Sequence, residues 1–309
     1  MTEARRRVVV VGPTASGKTD LALRLADEID RAEVLCADSM TVYRGMDIGT
    51  AKATPHERSL FVHHGIDLVE PDTDYSVAEF QRYADAVLAS IAARDTTAVL
   101  VGGTGLYVDA VVNQFTMPGQ FPDVRANLQQ ELEHDGVGVL FARLAALDPA
   151  AAAKMQPNND RRIVRALEVC IGSGRPFSSF GPGLQEARAE GEQQENLMLA
   201  IAWPREELRR RIETRFARQL DGGFLAEAER LWSTFGERLS RTARQALGYR
   251  ELWAHLEGAT SLDEAIELAI TRTRQFAVRQ ERWFKRDSRI RWLTPDDAAA
   301  VKASEFGLS

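Results

Sequence analysis

The amino-acid sequence predicts an α/β protein in which helices cover both faces of a parallel sheet and a helical segment is inserted into the chain. Three observations predict it. Short apolar runs alternate with amphipathic stretches over the first third of the chain, a glycine-rich loop follows the first run, and the pattern becomes helical from about Phe115. Strands that alternate with helices form parallel sheets that are buried on both faces.

The period of the apolar residues predicts the individual elements. Strands are predicted at 8–11, 34–37, 98–101 and 199–202, and helices at 19–30 and 77–93. Ser76 and Glu79 form a capping box that marks the start of the second of these helices. A further capping box, Ser261 with Glu264, predicts a long helix that ends near Arg286.

The chain divides into a core and an insertion. Residues 115–196 are rich in Ala, Leu, Arg and Glu, and they close in "GPGLQEARAEGEQQEN", a polar stretch typical of an exposed loop or linker. We therefore predict a P-loop NTPase-like core formed by 1–114 and 197–309, with basic helices at its carboxyl end. A helical insertion domain is predicted at 115–196.

Composition sets the broad class. No apolar run approaches the roughly 20 residues of a membrane-spanning helix, and the brief run after "MTEARRR" is not typical of a signal peptide. Cys36 and Cys170 lie far apart and suggest neither a disulfide framework nor a zinc site. We expect a cytoplasmic protein without a membrane partner, and nothing in the sequence demands more than a monomer.

The stretch "GPTASGKT" matches the phosphate-loop motif G-x-x-x-x-G-K-[ST], with a strand predicted before it and a helix after it. The predicted diphosphate- and magnesium-binding residues are Gly12, Pro13, Thr14, Ala15, Ser16, Gly17, Lys18 and Thr19. Backbone amides and the helix dipole attract phosphate, Lys18 adds a charge, and the Thr19 hydroxyl is the predicted ligand of Mg²⁺. The motif is typical of nucleotide-binding, ATP-binding proteins, but any diphosphate ester satisfies the same donors.

Asp38 and Ser39 follow the second predicted strand, at the sheet edge where the phosphate loop opens. A magnesium ligand, a general base and a turn cap all fit Asp38 in this position. The turn "GGTG" after 98–101 brings Thr104 to the same edge. By itself that turn indicates a tight bend and a ligand contact equally.

Three separated segments, "GPTASGKT", "DSMTVYRGMDIGTAK" and "GGTGLY", resemble the tRNA dimethylallyltransferases (isopentenylpyrophosphate transferases) in order and spacing. Further matches are "HHGIDLVEP", "NNDRRIVRALEV", "LGYREL" and "TRTRQFAVRQERWFKR", so the resemblance runs from about Val8 to Trp292. It implies transfer of a dimethylallyl group from dimethylallyl diphosphate to the exocyclic N6 amine of the adenosine 3′-adjacent to the anticodon. The implied partners are the tRNA anticodon stem-loop and this donor, with Mg²⁺ as cofactor.

The resemblance also implies residue roles. Asp38 becomes the base for the adenine amine, while Lys18 and Thr104 lie at the reacting end. The residues implied to contact tRNA are Asp38, Ser39, Met40, Thr41, Thr104, Arg125, Arg161, Arg162, Ile163, Val164, Arg165, Gln245, Gly248, Tyr249, Arg250, Arg272, Arg274, Arg279 and Arg282. Because a stacked base cannot reach a cleft, we expect the target adenosine to be flipped out of its loop.

The chain departs from the family pattern at three positions. Thr41 stands where the family usually has Gln, Val278 where it has Lys, and Ala53 where it has Pro. The first departure changes the hydrogen bonds available to the adenine edge, and the second removes one possible phosphate contact. Neither the predicted base nor the phosphate loop is affected.

The carboxyl-terminal helix is locally basic although the whole chain carries a net charge of −6. At about 100° per residue, Arg272, Arg279, Arg282 and Arg286 fall on one stripe. Such a stripe is typical of a solvated face or of a surface that binds nucleic-acid phosphates. The resemblance favours the second interpretation.

Three other functions share parts of this pattern. A small-molecule kinase would use the same loop with ATP, but it leaves the basic helical segments without a task. An adenylate isopentenyltransferase would prenylate a free nucleotide, whereas the long insertion favours a larger substrate. A nucleotide-dependent switch or RNA-binding module is disfavoured by Asp38 beside a complete phosphate loop.

Overall fold

The computed structural model describes residues 7–114, 117–180 and 196–308. Its strands are β1 (Arg7–Val11), β2 (Ala32–Cys36), β3 (His63–His64), β4 (Thr97–Gly102), β5 (Asn196–Ile201) and β6 (Ile290–Leu293). Its helices are α1 (Lys18–Asp27), α2 (Pro55–Leu60), α3 (Val77–Ala93), α4 (Gly105–Asn113), α5 (Pro122–Asp135), α6 (Val137–Leu147), α7 (Pro149–Ala153), α8 (Asp160–Ser173), α9 (Arg205–Asp221), α10 (Phe224–Phe235), α11 (Tyr249–Leu256), α12 (Leu262–Phe284) and α13 (Pro295–Ala300).

The strands form one parallel sheet in the order β3-β2-β4-β1-β5-β6. In its register Val10 lies opposite Val101 on one side and Leu199 on the other. This order places the carboxyl ends of β2, β4 and β1 next to one another. The predicted α/β class is confirmed, whereas β3 and β6 were missed because such short strands carry no readable period.

The central strand β1 is buried on both faces. Val9 and Val11 pack in the same core as Phe80 of α3, while Val8 and Val10 pack with Leu25 of α1. Complete burial of one such side chain stabilises the fold by about 1.5–3 kcal/mol. The alternating side chains of β1 thus hold helices on both sides of the sheet and keep the following loop in place.

The predicted capping boxes form at Ser76 and Ser261, at the starts of α3 and α12. Two predicted helix ends were too late, because α1 ends at Asp27 and α12 at Phe284. Within the described part of the chain, every helix is too short or too polar to cross a lipid bilayer.

Contacts divide the chain into two compact units, Met1–Val112 with Glu192–Ser309 and Asn113–Gly191. The first holds the sheet. The second is helical and has a core of its own, in which Leu128, Leu144 and Ile163 are fully buried. The predicted polar linker, 181–196, lies outside the described residues except for its last position.

Candidate active site

The phosphate loop connects β1 to α1 through unusual backbone geometry. Gly12, Ala15 and Gly17 have positive φ angles of 142°, 62° and 86°. Alanine rarely adopts this conformation, and such strain is typical of functional loops. The Lys18 Nζ atom donates to the carbonyl oxygen of Pro13 at 3.3 Å, so the lysine side chain folds back over the loop. Of the eight predicted phosphate-binding residues, six lie in this turn, and Lys18 and Thr19 begin α1.

Helix α9 and Trp203, two residues before it, hold the phosphate loop from one side. Trp203 Nε1 donates to the Ser16 carbonyl oxygen, and Arg211 Nε donates to that of Ala15, both at 2.8 Å. Arg215 donates to the Thr14 hydroxyl at 3.1 Å. These residues were not among the predicted site residues, although Arg211 and Arg215 are four positions apart and therefore lie on one helical face.

Asp38 and Thr104 meet at the carboxyl ends of β2 and β4, as the sheet order requires. The Thr104 hydroxyl accepts a hydrogen bond from the Ser39 backbone N–H at 3.0 Å and donates to the Ser39 hydroxyl at 3.3 Å. The Met40 N–H donates to Asp38 Oδ1 at 2.9 Å and orients the carboxylate. The structure therefore brings together two residues that are far apart in sequence.

Lys18, Arg215 and Asp38 influence one another electrostatically. The pKa of Lys18 is lowered to about 8, first by burial and second by the charge of Arg215, while Asp38 acts in the opposite direction. Burial also lowers the pKa of Arg215, against the opposing effect of Asp38. Two cations held together in a desolvated site are prepared for an anionic ligand.

Two cavities adjoin these residues. The phosphate-loop cavity has a volume of about 1040 Å³ and is lined by Gly17, Lys18 and Thr19. The Asp38 cavity has a volume of about 330 Å³ and is lined by Asp38 and Thr104. Ala15, Arg215 and Gln219 line both cavities. Arg215 therefore forms part of the wall of both cavities.

The loop after β2 also contributes to both cavities. Ile48 lines the phosphate-loop cavity, and Gly49 lines the Asp38 cavity. The buried carboxylate of Glu227 accepts hydrogen bonds from the backbone N–H groups of Asp47, Ile48 and Gly49 at 3.0–3.2 Å. Gln219 donates to the carbonyl oxygens of Ile48 and Gly49. Glu227 was not among the predicted site residues, because its role depends on a contact far along the chain.

In the sheet-containing unit, some of the predicted tRNA-contacting residues line the Asp38 cavity and others do not. Those that line the Asp38 cavity are Asp38, Ser39, Met40, Thr104, Gln245, Tyr249, Arg250 and Arg279. Thr41 is buried instead, and its hydroxyl donates to the carbonyl oxygens of Asp38 and Gly65. It therefore supports the turn and does not present a group to the adenine edge, which corrects the prediction for this position.

Tyr249 and Gly248 also act within the fold. Tyr249 is fully buried, and its hydroxyl donates to Glu227 at 2.5 Å. Tyr249 also lines the Asp38 cavity. The Gly248 N–H donates to the buried carboxylate of Glu251 at 2.8 Å. Both residues thus support the fold, and their predicted contact with tRNA stays a prediction.

In the helical unit, the predicted tRNA-contacting residues lie on α8 and α5 and differ in their exposure. Arg161 and Arg162 are exposed, but the side chains of Ile163 and Val164 lie in the core of this unit, which corrects the prediction for them. The apolar period of α8 could have revealed this. Arg125 Nε and Arg165 both bind the carboxylate of Glu168 at 2.9 Å, and this carboxylate is buried.

On α12 the predicted basic residues are not equivalent. Arg272 pairs with Glu251 at 2.7 Å, and Arg274 pairs with Glu213. Arg279 and Arg282 are exposed. Arg286, the remaining member of the basic stripe, lies just beyond the end of α12 and is also exposed. A nucleic-acid backbone can thus reach these three arginines without displacing a carboxylate, whereas Arg272 is paired with Glu251.

The described residues, 7–114, 117–180 and 196–308, contain no group of three or more His, Cys, Asp or Glu side chains arranged to hold a metal ion. Thr19 lines the phosphate-loop cavity together with Asp20. A hydroxyl next to a phosphate site fits Mg²⁺, which takes many of its ligands from phosphate oxygens and water.

Comparison with known proteins gives consistent matches. A family model described as IPP transferase matches residues 41–287. The tRNA dimethylallyltransferase of Bifidobacterium adolescentis is 42% identical over 94% of this chain and 85% of its own, and that of Streptomyces coelicolor is 43% identical over 99% and 96%.

Solved structures that are similar to this chain are also described as transferases that act on tRNA. A tRNA isopentenylpyrophosphate transferase from Bacillus halodurans superimposes with a TM-score of 0.66 at 37% identity, covering 94% of this chain and 89% of its own. A eukaryotic dimethylallyltransferase acting on tRNA superimposes with a TM-score of 0.78 at 25% identity, covering 98% and 78%.

Proposed function

Because the chain belongs to the IPP transferase family, and is therefore a transferase that modifies tRNA, we propose that its donor is dimethylallyl diphosphate. The acceptor is the exocyclic N6 amine of the adenosine 3′-adjacent to the anticodon, and diphosphate is released. One observation carries the proposal. A cavity lined by the phosphate loop and a cavity lined by Asp38 share Arg215 in their walls.

The phosphate-loop cavity receives the diphosphate of the donor. As the allylic C–O bond breaks, its electron pair and the negative charge move onto the diphosphate. Lys18 and Arg215 are already desolvated and close together, so they stabilise this charge without reorganising water. The positive end of α1 acts in the same direction.

The Asp38 cavity receives the adenine ring. Its walls include the aromatic rings of Phe216, Phe224 and Phe276, which suit a flat base. The N6 lone pair is delocalised into the ring, so attack on the allylic carbon requires loss of an amine proton. Asp38 accepts that proton as the new C–N bond forms. Thr104 holds Ser39, the neighbour of this base.

Magnesium is part of the proposal. Thr19 would hold the ion through its hydroxyl, and the remaining ligands would be oxygen atoms of the kind that Mg²⁺ prefers. When bound, the ion contributes positive charge at the leaving group. Lys18 and Arg215 supply the permanent part of that charge.

Phosphates of the anticodon stem-loop bind the exposed face of α12, where Arg279 and Arg282 are available. Arg279 also lines the Asp38 cavity, so it contacts RNA next to the flipped base. We propose that the enzyme acts as a monomer in the cytoplasm, where it meets tRNA. Light scattering should therefore give the mass of one chain.

The test is incubation of the purified protein and Mg²⁺ with labelled dimethylallyl diphosphate and either tRNA or AMP. Label should enter tRNA and not AMP. Labelling of AMP would support the free-nucleotide alternative, and labelling of neither would contradict the proposal. A parallel reaction with γ-labelled ATP tests for a kinase, which would label a small acceptor instead.

A further inference from the structure

We propose that Gln280 is a positioning residue that ties the phosphate loop to the GGTG turn, and thereby fixes the donor relative to the base Asp38. This inference rests on the proposed function. Gln280 lies on α12, is only 6% exposed, and was not among the predicted site residues. Its amide joins the phosphate loop at Thr14 to the GGTG turn at Gly103, and these two loops are far apart in the sequence.

Both ends of the Gln280 amide are used. Its Oε1 atom accepts a hydrogen bond from the backbone N–H of Thr14, and its Nε2 atom donates to the carbonyl oxygen of Gly103, each at 2.8 Å. One partner is a donor and the other is an acceptor, so the site requires an amide. A carboxylate cannot donate to Gly103, and asparagine is one methylene shorter.

The GGTG turn is shaped around this amide. A Cβ atom at Gly103 would lie 2.5 Å from Gln280 Nε2 and 3.4 Å from the Gly12 carbonyl oxygen. Any larger residue at Gly103 therefore pushes the amide away. The glycine permits the close approach on which the second hydrogen bond depends.

The two hydrogen bonds connect the halves of the reaction. On one side, Thr14 binds Arg215, which we propose stabilises the leaving diphosphate. On the other side, Gly103 precedes Thr104, which holds the Ser39 backbone next to Asp38. Gln280 therefore sets the distance between the groups that serve the leaving group and those that serve the amine. Reaction rates depend steeply on such distances, since an error of about 1 Å costs about 10²-fold.

The first experiment replaces Gln280 by methionine, which keeps the length of the side chain and removes both hydrogen bonds. The single-turnover rate of tRNA prenylation should fall by about 10²-fold, and binding of inorganic diphosphate should weaken. The dissociation constant for tRNA should change little, because the exposed arginines are untouched. A merely structural role would lower the melting temperature without this selectivity.

Gln81→Met is the matched control. Gln81 is a buried helical glutamine of α3, and its Nε2 atom donates to the Ala110 carbonyl oxygen at 3.0 Å. This variant should lose comparable thermal stability and keep its rate. Equal rate losses in Gln81→Met and Gln280→Met, or an unchanged rate and diphosphate affinity in Gln280→Met, would overturn the proposal.

A double-mutant cycle tests the contact itself. Gly103→Ala should slow the reaction by displacing the amide, and it should add little when combined with Gln280→Met. Fully multiplicative losses would mean that the two residues act independently. Failure of the proposed function gives a different result. In that case the wild-type protein would not prenylate tRNA, but Gln280→Met would still bind inorganic diphosphate more weakly than wild type if the tie exists.

Discussion

The phosphate-loop cavity and the Asp38 cavity share Arg215 but differ in the kinds of side chain that line them. The cations that line the first are Lys18, Lys52, Arg58, Arg210, Arg211, Arg215 and Arg218. The aromatic residues that line the second are Phe216, Phe224, Tyr249 and Phe276. The first cavity is about three times as large, at about 1040 Å³ against about 330 Å³.

This difference reflects the two halves of the proposed reaction. A leaving diphosphate needs concentrated positive charge, whereas a nucleobase needs flat apolar walls and one group that takes a proton. Separate cavities allow each environment to exist without weakening the other. The comparison predicts that substitutions in one cavity should leave binding in the other nearly intact.

The largest effect is expected for Asp38→Asn in the Asp38 cavity. Asparagine keeps the shape but cannot take the amine proton, so the chemical rate should fall about 10²–10⁴-fold. Donor and tRNA binding should be largely retained. The measurement is the single-turnover rate over a magnesium series, with the exposed Asp27→Asn as control. A rate restored by high magnesium would show that Asp38 is a metal ligand and not the base.

The second-largest effect is expected for Lys18→Ala in the phosphate-loop cavity. Loss of one preorganised cation should lower donor use about 10²–10³-fold. The affinity for tRNA should change much less, because Lys18 lines the phosphate-loop cavity and not the Asp38 cavity, which we propose receives the adenine. Filter binding and turnover assays measure the two quantities separately. Equal losses in both would break the distinction between the cavities.

A smaller effect is expected from pH. The pKa of Lys18 is about 8, below the ordinary lysine value, because the side chain is buried next to Arg215. The fraction of charged Lys18 therefore falls as the pH rises through 8, and diphosphate binding should weaken in the same range. Calorimetric titration with inorganic diphosphate from pH 7 to about pH 9.5 tests this.

Lys18→Arg serves as the control for this titration, because a guanidinium stays charged over the whole range. The variant should lose the weakening that is centred near pH 8. If wild type and variant show the same pH dependence, the titrating group is the ligand or another residue.

The smallest effect concerns the exposed face of α12. Arg279→Ala and Arg282→Ala should each reduce the slope of log affinity against log salt by up to about 0.9, the duplex value. Arg279 lines the Asp38 cavity, so its loss should also lower the rate, whereas Arg282→Ala should affect binding alone. Unchanged slopes in both variants would mean that this face is merely solvated.

Much of the first unit could be predicted from local sequence. The phosphate loop, the capping boxes at Ser76 and Ser261, and the helix Val77–Ala93 depend on neighbouring residues, so short segments carry their full signal. The convergence of Asp38 and Thr104 also follows, because parallel strands end at one edge of a sheet. The order β2-β4-β1 meets that expectation.

Other features of the site were decided only by the tertiary structure. Thr41, Ile163 and Tyr249 lie in matching motifs, yet each is buried within its own unit. Glu227 carries no local signal, and Gln280 lies in a matching motif that does not reveal its contacts. The partners of both residues are far away in the chain, and a buried amide or carboxylate has no periodic pattern. The local sequence determined the phosphate-loop motif and the residues that we propose take part in the reaction. Packing of distant helices decided how those loops are held, since hydrogen bonds such as that from Thr14 to Gln280 exist only after the chain has folded.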